Sequence, residues 1–414
     1  MALINRSEYL EKLKILRDKQ DLVKVITGAR RCGKSVLLEL FQNYLKTTGI
    51  ADAQVISINF EDLINDELRD YKKLHQHIMK LIQSDKMTYV FLDEVQLVEN
   101  WIKAVNSLRI KKGVDVYVTG SNANMMSGDL NNEFGGRWME IKMLPLSFKE
   151  YAQGNIRSGK PLSDVYERYI TESGFPQTVE FGGDQRIIGD YLRDTVFLNA
   201  IQRDIIGKYK LPDATKLNDT ARFVFDNMGR PTSLLSIEKG LGQSGRKVDA
   251  DTVGNYIKWL QDCFMLYKCE RYDIKGRQLL STNAKYYVVD CGLRYALLGH
   301  RDTDIGRTLE NVVYLELLRR GYKVYAGKIN KKKEIDGEEV ALEVDFVAEK
   351  DGEKEYYQVS RSIIEEKTMK REYASLEEIK DGYPRYLLTM DARGGGQGSI
   401  KRLNALDWLL GTAN

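Results

Sequence analysis

A chain of 414 residues, 43% hydrophobic and 30% charged, has the make-up of a folded protein of two or three domains and excludes a disordered or collagen-like polymer. Its formal net charge of +3 is too small to impose a nucleic-acid role by itself. The four cysteines (Cys32, Cys263, Cys269, Cys291) lack CxxC spacing, the three histidines (His75, His77, His300) form no ligand cluster, and there is no membrane-length apolar run or signal-peptide pattern. Together these exclude a disulfide framework, a zinc ribbon and a membrane partner, and lead to a cytoplasmic expectation.

Residues 1–20 read as a charged amphipathic helix with Tyr9, Leu10, Leu13 and Leu16 apolar. Residues 22–26 supply a buried strand and residues 36–41 an apolar helix. Between them Gly28, Gly33, Lys34 and Ser35 match GxxxxGK[ST]. Successive backbone N–H groups of such a loop curl into an anion nest, and the helix behind adds its positive end. Gly28, Ala29, Arg30, Arg31, Cys32, Gly33, Lys34, Ser35 and Val36 are therefore expected to bind ATP. Lys34 would reach the β- and γ-phosphates and Ser35 would bind Mg²⁺.

Three more strands follow. Residues 54–60 alternate and end in Glu61-Asp62; residues 89–92 end in Asp93-Glu94; residues 114–119 end in Gly120-Ser121-Asn122. Helical stretches separate them, so a parallel sheet is expected, with ligands at the carboxyl ends of its strands. Asp93 would hold Mg²⁺ and Glu94 would polarise the attacking water. Asn122 would orient that water or touch the γ-phosphate. Arg137, in Phe134-Gly135-Gly136-Arg137, would stabilise transition-state charge in its own subunit or, in a homo-oligomer, in a neighbour.

The strings GARRCGKS, FLDEVQ, VTGSNA, GGRW and LPLSFKEY, in this order, resemble a widespread prokaryotic group of AAA-type P-loop ATPases with a conserved C-terminal domain of unknown function. The resemblance continues through SGFPQTVEF, YLRDTVFLNAIQRDI, RYDIKG, KYYVVDCGLR, LENVVYLELLRRGY and EVDFVA, and so covers nearly the whole chain. It implies an ATPase, and it implies no agreed cellular task.

Residues 145–210 look helical, broken at Gly174-Phe175-Pro176, as a lid or linker would be. In residues 214–288 three helices precede two apolar strands, 264–269 and 285–289, joined by a basic glycine turn. That order suggests a winged helix, with Arg246, Lys247, Asn255, Lys258, Lys275 and Arg277 as DNA contacts. Asp249 and Asp251 oppose phosphates there and suit helix capping. Farther on, a helix over 308–320 has Thr308 as N-cap and Gly321 as its stop, and Lys331-Lys332-Lys333 reads as a solvated loop tip. Gly394-Gly395-Gly396-Gln397-Gly398 reads as a flexible loop before a closing helix over 403–410.

Residues 341–347 and 355–360 flank Asp351-Gly352. If these two form a hairpin turn, Asp345 stands opposite Gln358 and Glu343 opposite Ser360, with all four on one face. Glu310 on the preceding helix would join them as a possible second site. The arrangement resembles the restriction-endonuclease-like pattern of an aspartate followed by [DE]xK or QxK. Ser360 stands where the lysine should be, so a fold that cuts DNA poorly or not at all is expected.

The expected fold is α/β in four parts: a P-loop NTPase parallel-sheet domain of AAA type (1–145), a helical lid or linker (146–212), a winged-helix module (213–289) and a restriction-endonuclease-like α/β domain (290–414). The expected function is Mg²⁺-dependent ATP binding and hydrolysis driving a conformational change, with duplex or branched DNA as a candidate partner. The alternative is a nucleotide-dependent switch that recruits a protein partner without binding DNA.

Overall fold

The computed structural model describes residues 4–83, 85–122, 133–155, 159–209, 211, 214–243, 245–299, 305–335, 338–392 and 395–413. The expected boundary at 212/213, His300 and Gly394 lie outside the described residues. The chain divides into two compact units, Met1–Pro145 with Asp262–Phe264, and Leu146–Gln261 with Met265–Asn414.

The first unit is built on five strands: β1 (Val23–Thr27), β2 (Val55–Asn59), β3 (Thr88–Asp93), β4 (Val114–Gly120) and β5 (Trp138–Lys142). They lie in the order β2-β3-β4-β1-β5, and every neighbouring pair is parallel. β1, β3 and β4 are buried along their whole length, as parallel strands covered on both faces must be. Val25, Val90 and Val116 meet Leu74, Ile78, Val105 and Leu108 of the helices Tyr71–Leu81 and Trp101–Arg109 in one apolar cluster. The edge strand β5 was not foreseen. Only Ile141 of its five residues is buried, too weak a pattern to read as a strand.

Two helices flank the strand and loop of the phosphate site, one before β1 and one after the loop. Ser7–Leu16 (α1) buries Tyr9 and Leu13, and Lys34–Thr47 (α2) buries Leu37, Leu38, Phe41 and Leu45 at helical spacing.

In the second unit, helices Phe148–Asn155 and Leu162–Glu172 come before a short turn helix that starts at Pro176, at the expected break. Helices Thr215–Asp226, Leu234–Gln243 and Ala250–Asp262 follow. Asp249 caps the last of them, accepting from the Thr252 amide at 2.9 Å.

The remaining strands are β6 (Leu266–Asp273), β7 (Gln278–Val288), β8 (Lys323–Ile335), β9 (Glu338–Lys350), β10 (Glu353–Ser360), β11 (Arg385–Thr389) and β12 (Ile400–Asn404). They form one mixed sheet in the order β12-β11-β10-β9-β8-β6-β7. This corrects the separate wing expected within 213–289. The ribbon β6–β7 is the edge of the sheet that carries the C-terminal strands, because Arg271, Tyr272 and Asp273 pair in parallel with Ala326, Gly327 and Lys328. Two local expectations change as well. Lys331-Lys332-Lys333 lies within β8 rather than at a loop tip, with Lys331 held by Glu378 at 2.9 Å. The helix expected to start at Thr308 runs Ile305–Arg319, so buried Thr308 is inside it and is not its cap.

Candidate functional site

β1 ends at Thr27 and hands the chain to the phosphate loop. A Cβ on Gly28 would stand 2.2 Å from the Met143 carbonyl oxygen, so glycine alone permits this packing. The Met143 amide in turn donates to Thr27 O at 2.7 Å. Arg31 (φ 66°) and Gly33 (φ 101°) bend the loop through left-handed conformations, and α2 begins on Lys34. Arg30 pairs with Glu61 at 2.9 Å. Burial pushes the Cys32 thiol up, so it is inert packing in the loop.

A brace behind this loop escaped the sequence reading. Arg6, 2% exposed, donates to Cys32 O at 2.9 Å and to Leu144 O at 2.7 Å. Tyr9 accepts from the Leu144 amide at 3.1 Å. Nothing local in the sequence ties residue 6 to the loop.

Lys34 is 4% exposed. Its Nζ lies 3.2 Å from the carbonyl oxygens of Gly28 and Ala29, and 3.6 Å from Glu94 Oε1. β3 and β4 bring the acids to the same place. Thr119 donates to Asp93 Oδ1 and accepts from the Glu94 amide at 2.9 Å. Asp93 also shares a hydrogen bond with the Ser35 side chain. Burial raises the Asp93 carboxyl, against the pull of Thr119 and Ser35.

Glu94 sits in a left-handed conformation (φ 54°), a costly one for a non-glycine residue. Burial would raise its carboxyl, but Lys34, Gln96, Arg30 and Ser121 outweigh it and bring it below the ordinary range. Glu94 is thus an ionised acceptor set against the phosphate-loop lysine. Gln96 and Ser121 contact Glu94 Oε2, Ser121 at 3.3 Å. Asn122 is buried two residues past β4, beside Ser121, which donates to Glu94 Oε2.

The arrangement tests the fit of Mg²⁺. Among the described residues no three His, Cys, Asp or Glu side chains converge on a metal-sized site. A cation here would rest on Ser35 and Asp93 together with phosphate oxygens and water, which is how Mg²⁺ is usually held.

Arg137 is not brought to this site. Its carbonyl accepts from the Val23 amide at 3.1 Å, level with the start of β1. The phosphate loop leaves the other end of that strand, about 13 Å away at the usual rise per residue. The backbone of exposed Arg137 thus stands at the end of β1 opposite to its own phosphate loop.

In the second unit the Asp351-Gly352 turn forms with both φ angles positive, 53° and 84°. Lys350 pairs with Glu353 and the register runs on to Phe346 opposite Tyr357, so the next step sets Asp345 opposite Gln358. Gln358 Oε1 accepts from the Asp345 amide at 3.2 Å, and Asp345 Oδ2 accepts from the Val359 amide at 2.9 Å. Glu310 joins them, as does a residue not foreseen: Lys285 on β7, with Nζ 2.8 Å from Glu310 and 3.5 Å from Asp345. Tyr287 donates to Glu310 at 2.5 Å and Gln358 to Glu372 at 2.6 Å. Ser360 turns instead to the Ser362 carbonyl, and Glu343 to Arg271. The cluster therefore does hold an ammonium, delivered by another strand. Burial, reinforced by Glu310, pushes the Asp345 carboxyl up to about 8 against the pull of Lys285. The Lys285 ammonium is held charged, since Glu310 and Asp345 outweigh its burial.

Of the expected DNA contacts, Arg246 is paired with Asp219, whereas Lys247, Asn255 and Lys258 are exposed. Lys275 and Arg277 line a cavity of about 720 Å³ with Ile329, Lys331, Glu378 and Lys380.

Residues 20–152 match the family described as an AAA domain, and residues 163–304 one described as a domain of unknown function (DUF8612). The first unit, with its parallel sheet, glycine-bounded loop and strand-end acids, is accordingly a P-loop ATPase domain of AAA type. The chain is 36% identical over 417 residues to an uncharacterised protein of Haemophilus influenzae, a match covering 99% of each, and it belongs to that protein's family. It is 28% identical over 325 residues to an uncharacterised protein of Methanocaldococcus jannaschii, covering 75% of this chain and 69% of that one. Among solved structures it is similar to a Walker-type ATPase of Pyrococcus abyssi, with 17% identity and a TM-score of 0.48 over 71% of this chain and 96% of that one.

Proposed function

We propose that the protein binds Mg–ATP at the phosphate loop and hydrolyses it to drive a conformational change. The observation that carries this is the convergence of Lys34, Ser35, Asp93 and Glu94, drawn from α2 and the end of β3, on one buried spot. The loop amides and Lys34 hold the phosphates, and Glu94, kept ionised, takes the proton of water. Mg²⁺, when bound through Ser35 and Asp93, supplies charge neutralisation at the phosphates. Arg137 is proposed to serve a neighbouring subunit in a homo-oligomer, a reading supported by the distance of its backbone from its own phosphate loop.

Duplex or branched DNA is the proposed target of the motion. The support is the exposed Lys247 and Lys258 and the basic residues Lys275 and Arg277 at the rim of a cavity. The C-terminal strands with Glu310, Asp345 and Gln358 are proposed to be a restriction-endonuclease-like platform that does not cut, because Lys285 already serves as counter-ion to the acids.

The deciding experiment is the ATPase rate with and without duplex, branched and single-stranded DNA at several salt concentrations. Salt-sensitive stimulation supports a DNA-acting ATPase. Turnover and nucleotide-dependent assembly indifferent to DNA favour a switch that recruits a protein partner. Absence of turnover refutes the ATPase reading. Incubation of the same DNAs with Mg²⁺ and Mn²⁺ tests cleavage, and robust cutting lost in Asp345→Ala overturns the non-cutting reading.

A further inference from the structure

Gln96 lies in the string FLDEVQ, and the chemistry above uses it only as a donor that helps keep Glu94 ionised. It follows Glu94 by two residues in the short turn helix Val95–Leu97, which Glu94 enters in its left-handed conformation. That bend turns the two side chains toward each other. Gln96 Nε2 donates to Glu94 Oε2 and lies 3.4 Å from Ser121 Oγ. Ser121 reaches the same Oε2 at 3.3 Å. The other oxygen of Glu94, Oε1, faces Lys34 Nζ at 3.6 Å.

The two carboxylate oxygens are thus held differently. Oε2 is tethered by neutral donors fixed to the fold. Oε1 is held by a flexible cation whose natural partner is phosphate. Gln96 has a second polar atom here: its Oε1 is buried and, among the described residues, has no hydrogen-bond donor. Buried polar atoms are normally satisfied, and an exception beside a catalytic carboxylate points to a donor that arrives with the reaction.

We propose that Gln96 is a positioning residue for ATP hydrolysis, its Nε2 fixing Glu94 while its Oε1 accepts a hydrogen bond from the attacking water. This rests on the ATPase reading above. As Lys34 swings to the phosphates, Glu94 Oε1 is released while Oε2 stays tethered. The water oxygen then forms its bond to the γ-phosphorus as the bond from that phosphorus to the bridging oxygen breaks. The bonding pair leaves on ADP, and one water proton passes to Glu94 Oε1. The water's other hydrogen points at Gln96 Oε1. A carboxylate alone aims one hydrogen of a water; a second acceptor fixes the direction of the attacking lone pair, the part played by a glutamine in several nucleotide hydrolases.

The test uses the full-length chain with Gln96→Met, which keeps the side-chain volume and deletes both polar atoms, and Gln96→Asn, which restores them one methylene short. Steady-state kcat and KM for ATP, affinity for a fluorescent ATP analogue and the thermal midpoint are measured for each. Gln96→Met is expected to lower kcat about 10–100-fold while KM, analogue affinity and midpoint stay within about threefold or a few degrees, and Gln96→Asn is expected to regain part of the rate. In a Glu94→Gln background, Gln96→Met should cost little more, since both act on one water. A kcat within threefold of the parent in Gln96→Met overturns the proposal. So does a kcat loss matched by an equal loss of analogue affinity or stability, the mark of a mere prop. Failure of the unmutated protein to bind or hydrolyse ATP overturns the ATPase reading itself, and is seen before any variant is made.

Discussion

Replacing Lys285 by methionine should destabilise the second unit by about 3–5 kcal/mol, the usual cost of removing one partner from a buried ion pair. The Lys285 and Glu310 side chains are only 7% and 12% exposed, with charged atoms 2.8 Å apart. At an effective dielectric near 20 that separation is worth about 6 kcal/mol of attraction, much of it spent on desolvating the ammonium. The larger consequence of the substitution is what it leaves behind. Glu310 keeps the Tyr287 hydroxyl but loses its counter-ion in a site it cannot leave. For a unit of this size the loss corresponds to a drop of about 6–20 °C in the melting transition. The assay is thermal and urea unfolding followed by circular dichroism, with Glu310→Gln added in the same background. The double variant should recover much of the loss, because the uncompensated carboxylate is gone. A loss below about 1 kcal/mol for Lys285→Met, the value of an exposed pair, would refute the reasoning.

Lys34→Ala should abolish tight ATP binding in a folded protein, measured by titration with a fluorescent nucleotide; retained ATPase activity would remove the phosphate-loop assignment. Glu94→Gln should bind Mg–ATP but turn over roughly 10²-fold more slowly, whereas Asp93→Asn should weaken Mg²⁺-dependent binding as well; equal effects on both quantities would contradict the division of labour. Arg137→Ala mixed with Lys34→Ala should regain ATPase activity through hybrid sites while each alone is inactive, and demonstrably mixed oligomers without recovery would deny Arg137 a role across subunits. The Asp345 carboxyl is pushed up to about 8 in the folded chain, above its unfolded value, so its contribution to stability is full below about pH 4 and lost as pH rises through about 8. Asp345→Asn should therefore flatten the fall of the melting temperature between pH 5 and 9, and an unchanged slope would show that the acid does not titrate there.

What the sequence determined by itself is what short spacings control. Gly28 to Ser35 sets a loop whose shape depends on its own glycines and on the helix that follows. Asp93-Glu94 closes an apolar strand, and parallel strands in such a sheet present their carboxyl ends together. The Asp351-Gly352 turn fixes a register that two-residue counting carries to Asp345 and Gln358. The tertiary structure decided the rest. The strand β5, with one buried residue, has no pattern of its own and exists because β1 offers it an open edge. Arg6 meets Leu144 from 138 residues away, and Lys285 meets Asp345 from 60 residues away. The ribbon β6–β7 reads locally as a wing and becomes a sheet edge once β8 lies alongside. Arg137 looked like part of the phosphate site until the direction of β5 put it at the opposite end of the sheet. In each case the partner is chosen by packing between segments far apart in the chain, and local periodicity carries no information about that choice.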